Sequence, residues 1–112
     1  MIVSRDVQNE VLVVGLQGSL DVSIQSEFKD ELSKLAKEGD NDLILNFSEV
    51  SFIDSSCLGV LVSMSKALRE DKGDIKLVGL SDDVRSIFQI TRLDRVFEIF
   101  KELDTAVNAF YR

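Results

Sequence analysis

The residues best equipped for chemistry are Asp54-Ser55-Ser56-Cys57, which place a carboxylate, two hydroxyls and the chain's single thiol in consecutive positions. A serine at such a place can accept a phosphoryl group, which adds a charge of about −1.5 to −2 at neutral pH. A thiol in the first turn of a helix can acquire a lowered pKa and become reactive. Catalysis needs more than these groups. The chain has no His, so neither a Ser-His-Asp nor a Cys-His arrangement can be assembled within it. His-ligated zinc and the two-His-one-carboxylate iron site are excluded for the same reason. A small enzyme using Cys57 or the Asp54/Ser55 pair would have only a carboxylate such as Asp54 or Asp21 as its base, and no electrophile.

Composition narrows the field further. In 112 residues, 13 basic against 20 acidic side chains give a net charge of −7, with 45% hydrophobic and 29% charged residues. This is a globular composition, and a chain of this length buries roughly two thirds of its unfolded surface. One domain over residues 1–112 is expected. The acidic balance argues against direct nucleic-acid binding, since phosphate backbones reward Lys and Arg. No apolar run is long enough for a bilayer, and Met1 to Asp6 lacks a signal-peptide pattern. A lone Cys excludes an intrachain disulfide and every CxxC motif, which fits a reducing cytoplasm. With neither a G-x-x-x-x-G-K-[ST] nor a G-x-G-x-x-G loop, no cofactor and no metal are expected. The sequence does not fix an oligomeric state.

The elements that must position these residues follow from periodicity. Ile2 to Gln17 reads as two strands turning at Gln8-Asn9-Glu10, with Gly18 ending the second. Ile24, Phe28, Leu32, Leu35 and Ala36 fall on one helical face, with Ser23 as the expected N-cap and Gly39 closing the helix. Leu43 to Phe47 is almost continuously apolar, as a strand buried on both faces should be. Beyond Ser48 to Ile53 a helix runs from the Asp54 segment to about Asp71, and Ile75 to Val78 is a short strand. Ser81-Asp82-Asp83 starts a helix carrying Val84, Ile87, Phe88 and Ile90. Val96 to Phe100 reads as a short edge strand, and Asp104 caps a final helix reaching the C-terminus. The order β-β-α-β-α-β-α-β-α predicts an α/β fold, a mixed but mostly parallel sheet with helices packed against it.

Asp54-Ser55-Ser56 stands where strand hands over to helix, and all three types make good N-caps. They either only start the helix or hold a serine placed for phosphorylation, where free N–H groups and the helix dipole tolerate a phosphate. The helix that follows has an unusually broad apolar surface. Leu58, Leu61, Val62 and Leu68 suffice to dock it on a sheet, yet Cys57, Val60, Met64 and Ala67 continue the small or apolar face. Either a neighbouring helix covers the Val60/Met64 side, or that side awaits a partner. Cys57 likewise is either a reactive thiol or a small residue tucked beneath the helix.

Three segments in order resemble the STAS domain of bacterial anti-sigma-factor antagonists. Gly18-Ser19-Leu20-Asp21 resembles the G-x-L-D turn before that family's first helix. Asp54-Ser55-Ser56-Cys57-Leu58-Gly59 resembles its D-S-S-G-L-G phosphorylation loop, with Cys57 where the pattern usually has Gly. Leu80 to Phe97, with Val84, Ile87, Leu93-Asp94 and Phe97, resembles its third-helix region. The resemblance covers nearly the whole chain and implies a partner-switching cycle. The unphosphorylated form binds an anti-sigma factor that is also a serine kinase, and so frees the sigma factor. Phosphorylation of the serine after the loop aspartate, Ser55 here with Ser56 as the alternative, breaks the complex, and a PP2C-type phosphatase restores it. Asp54 and Asp21 would support the loop, while Ser56, Cys57, Gly59, Val60 and Met64 would meet the partner. The alternative is a STAS scaffold or ligand-sensing domain that does not switch.

Overall fold

Alternation and turn chemistry set the strands. In the computed structural model, which describes residues 1–37 and 42–110, β1 (Ile2–Gln8) and β2 (Val11–Leu20) form an antiparallel hairpin. Asn9 and Glu10 both take positive φ, the geometry of the two-residue turn that matches strand twist. A short 3-10 turn (Val22–Ile24) leads into α1 (Gln25–Lys37), followed by β3 (Asp42–Ile53), α2 (Ser55–Glu70), β4 (Asp74–Val78) and α3 (Asp82–Ile90). A second 3-10 turn (Leu93–Arg95), β5 (Glu98–Phe100) and α4 (Leu103–Asn108) complete the order, which is the α/β order the sequence predicts.

The five strands lie in the spatial order β1-β2-β3-β4-β5, and β2 through β5 are parallel. Parallel crossovers are right-handed, so strands added in one direction carry their connecting helices on one face. Accordingly Phe28 of α1, Leu61 of α2 and Phe88 of α3 share a core with Leu12, Leu45 and Leu77 of the sheet. The opposite face is covered by α4, whose Ala106 and Val107 pack on Val11, Val13 and Ile44. Strands buried on both faces explain the unbroken apolar run at Leu43 to Leu45. Phe47, Phe88 and Phe97 stack edge to face at 6.1 Å between successive rings, pinning α3 to β3 and to the approach to β5. Lys76 is buried on the α4 side; its ammonium meets Glu98 at 2.7 Å and lies 4.7 Å over the Phe110 ring.

Several boundaries differ from expectation. Gly18 does not end β2: at φ +88 it sits within the strand beside a register shift, and pairing with β3 continues to Leu20. Ser48 to Ile53 is strand throughout, because pairing with β2 continues across a register shift that lets both Val50 and Ile53 reach the core. Ser23 does not cap α1; the capping carboxylate is Asp21, one 3-10 turn earlier. Ile90 is 82% exposed rather than packed, because two residues past the buried Phe88 the helix has turned about 200° away from the core. Asp104 lies inside the first turn of α4 rather than at its cap, and that helix ends at Asn108. Gly39 lies outside the described residues.

Candidate functional site

The site is built where β2 and β3 end together. Leu20 pairs with Ile53, and the Asp54 N–H donates to the Leu20 carbonyl at 3.0 Å, so both chains leave the sheet at one level. Each then makes the same Asp-x-Ser turn. The Asp21 carboxylate accepts from the Ser23 N–H at 3.0 Å and from the Ser23 hydroxyl at 2.5 Å. The Asp54 carboxylate accepts from the Ser56 N–H at 3.0 Å, the Ser56 hydroxyl at 2.5 Å and the Cys57 N–H at 3.3 Å. Its other oxygen reaches across to accept from the Val22 N–H at 3.0 Å, lacing the two turns together. These donors favour the ionised form. The Ser56 hydroxyl foremost holds the Asp54 carboxyl below the usual carboxylate range, and the Ser23 hydroxyl does the same for Asp21.

This arrangement divides the two serines. Ser56 is half-buried and is not the cap: Asp54 caps α2, and the Ser56 hydroxyl is committed to that carboxylate. Ser55 is exposed at the first position of α2, and its hydroxyl makes no hydrogen bond to a described residue. Among the described residues no cluster suited to hold a metal ion occurs, and no helix is long and apolar enough to cross a membrane.

Cys57 contributes no surface. Its side chain is wholly buried, and the thiol donates to the Asp21 carbonyl at 3.5 Å. Desolvation pushes its pKa up, which outweighs its place at a helix start and keeps the thiol protonated at neutral pH. In the folded protein at pH 8, iodoacetamide should therefore alkylate Cys57 at least about tenfold more slowly than in urea. Equal rates would show an open thiol.

The remaining expected contact residues divide in the same way. Gly59 is exposed, whereas Val60 and Met64 are 7% and 6% exposed because α1 covers them. They form the floor of a groove of ≈ 700 Å³ between α1 and α2, whose lining includes Ser55 and Gly59. Two residues at this end of the sheet went unrecognised in the sequence. Val22 is 70% exposed and Phe52 46% exposed, large apolar side chains flanking the laced turns. Their signal was position: each directly neighbours a residue of a matched motif or of its strand, on the side away from the core alternation.

Comparison with known proteins agrees with this architecture. The STAS domain family matches residues 3–106. The anti-sigma-B factor antagonist of Staphylococcus aureus (strain NCTC 8325 / PS 47) is 30% identical over 82% of this chain and 85% of its own length. The anti-sigma factor antagonist SpoIIAA in its unphosphorylated form superposes with a TM-score of 0.81 at 25% identity, covering 98% of this chain and 96% of the other. The Bacillus cell fate determinant SpoIIAA in its phosphorylated form shares the fold, with a TM-score of 0.71, 24% identity and coverage of 97% and 99%. With its sheet order, its laced Asp turns and its match over residues 3–106, this chain belongs to the STAS domain family of bacterial anti-sigma-factor antagonists.

Proposed function

We propose that this protein is a phosphorylation-controlled binding module without catalytic activity of its own. Unphosphorylated, it binds an anti-sigma factor that is also a serine kinase and thereby releases a sigma factor. Phosphorylation of Ser55 ends that binding, and a PP2C-type phosphatase resets it. The observation that carries this reading is the exposed Ser55 hydroxyl, unengaged by described residues, beside a Ser56 hydroxyl tied to Asp54. The relatives support it: one is an anti-sigma-B factor antagonist, and SpoIIAA occurs in both unphosphorylated and phosphorylated forms.

Surface character supports the partner half of the proposal. Val22, Phe52 and Gly59 surround Ser55 with apolar or bare backbone surface that the fold itself does not use. A Cβ at Gly59 would meet nothing within 4 Å, so internal packing does not require glycine there. Glycine inside a helix costs roughly 0.5–1 kcal/mol relative to alanine, which makes close approach by a partner backbone the reason to keep it. Gly59→Ala should raise stability in urea by that amount while weakening anti-sigma-factor binding at least about tenfold. Unchanged binding would remove Gly59 from the partner face.

The direct test is incubation with ATP and the cognate kinase, followed by intact-mass spectrometry of wild type, Ser55→Ala and Ser56→Ala. One phosphate lost only in Ser55→Ala is expected. Loss only in Ser56→Ala would move the acceptor. No phosphate from a kinase active on another substrate would favour the non-switching scaffold.

A further inference from the structure

We propose that the groove between α1 and α2 binds a free amphipathic monoanion, a linear carboxylate of medium chain length, with its head at the Ser55 end. The groove's ≈ 700 Å³ lies within the range of small-molecule sites, about 300–1,000 Å³. Its two ends differ in chemistry. Leu32, Val60 and Met64 make the floor and Ala67 one wall, with the neutral Ser33 and Ser63 beside them, whereas Lys29, the charged residue of the lining, stands with Gln25 and Ser55 toward the start of the two helices. Both helices are crossovers running against the same parallel strands, so they point the same way. Gln25 is then level with the start of α2, and Lys29 one turn further along.

Lys29 selects the sign of the head group. Its positions i±3 and i±4 on α1 are Ser26, Leu32, Gln25 and Ser33, so no carboxylate on its own helix faces it. It forms no ion pair with a described residue, and the Asp21 and Asp54 carboxylates are hydrogen-bonded within and between their own turns rather than to it. The Cα–Cβ bonds of a helix tilt toward its N-terminus, so the flexible stem of Lys29 can bring its ammonium within reach of the Ser55 end. The net charge of −7 repels anions at long range, yet that field is screened beyond roughly 8–10 Å in physiological salt. Within the groove the local cation decides. An acyl chain fits the apolar floor, and the small residues Gly59 and Ala67 leave its path open. Because Ser55 and Gly59 form the rim, a bound anion would exclude a partner seated there. That consequence rests on the proposed partner face; the binding itself does not.

The test is an NMR titration of the full chain with decanoate below its micelle concentration, with decyltrimethylammonium as the cationic counterpart. Saturable shifts at the amides of Lys29, Gly59, Ser63 and Ala67 are expected, with at least tenfold weaker binding of the cation. Lys29→Glu should weaken decanoate at least tenfold, and Ala67→Trp, which fills the groove from an exposed position, should abolish binding; both should keep the wild-type spectrum elsewhere. Shifts confined to other surfaces, equal affinity for the cation, or an unaffected Lys29→Glu would each overturn the site. No partner or kinase is present, so failure here is distinct from failure of the switch.

Discussion

Ser55→Glu should lower affinity for the cognate anti-sigma factor at least a hundredfold while leaving the fold almost unchanged. The two halves of this expectation have different causes. Ser55 opens the 16-residue α2, where unpaired N–H groups and the positive end of the helix dipole favour an anion. The variant's melting temperature should therefore stay within a few degrees of wild type. In the complex, the same carboxylate would be covered by the partner beside Val22, Phe52 and Gly59 and next to the ionised Asp54, a cost that Lys29 on the far side of the groove offsets only in part. Burying an unpaired charge costs several kcal/mol, whereas a hundredfold loss needs only about 2.8 kcal/mol. Phosphate carries more charge than glutamate, so the natural modification should act at least as strongly. Isothermal titration calorimetry with Ser55→Ala alongside makes the measurement. Ser55→Ala should bind like wild type, and wild-type affinity in Ser55→Glu would refute the electrostatic switch.

The order of elements was legible because strands and helices in this chain carry unambiguous periods. Val11 to Val14 and Leu43 to Phe47 read as strands since both sheet faces are covered, and the buried Phe28, Leu32 and Leu35 of α1 repeat at helical spacing. The phosphorylation loop was legible as a motif. Its internal division was not. Nothing in Asp54-Ser55-Ser56 as a string says which serine is engaged, because that depends on the Asp54 carboxylate folding back over Ser56 and also reaching Val22, 32 positions earlier in the chain. The burial of Val60 and Met64 was likewise undecidable from one helix, since it is α1 that covers them. Cys57 shows the same limit from the other direction. A helix start suggests a reactive thiol, but the fold aims this one inward at the Asp21 carbonyl, where desolvation prevails.

Asp54→Ala should be the most damaging single change at the site, lowering the melting temperature by about 5–10 °C and disabling both binding and phosphorylation. One carboxylate here serves two elements. It caps α2 through the Ser56 and Cys57 N–H groups, and it ties that cap to the β2–α1 turn through the Val22 N–H. Alanine would leave those donors to water and would release the Ser56 hydroxyl, erasing the distinction between the two serines. Asp54→Asn keeps an acceptor and should cost less, because asparagine caps helices nearly as well as aspartate. The difference between wild type and Asp54→Asn should depend on pH in a set direction. The folded-state pKa of Asp54 is lowered, chiefly by the Ser56 hydroxyl, so its charge stabilises the fold above the ordinary aspartate value of about 3.9. That contribution is lost as pH falls through the lowered pKa. Urea unfolding of both proteins should therefore show a gap that is constant from about pH 6 to 5 and shrinks below about pH 4. A gap that persists unchanged to pH 2 would mean that the carboxylate's charge does no work in the loop.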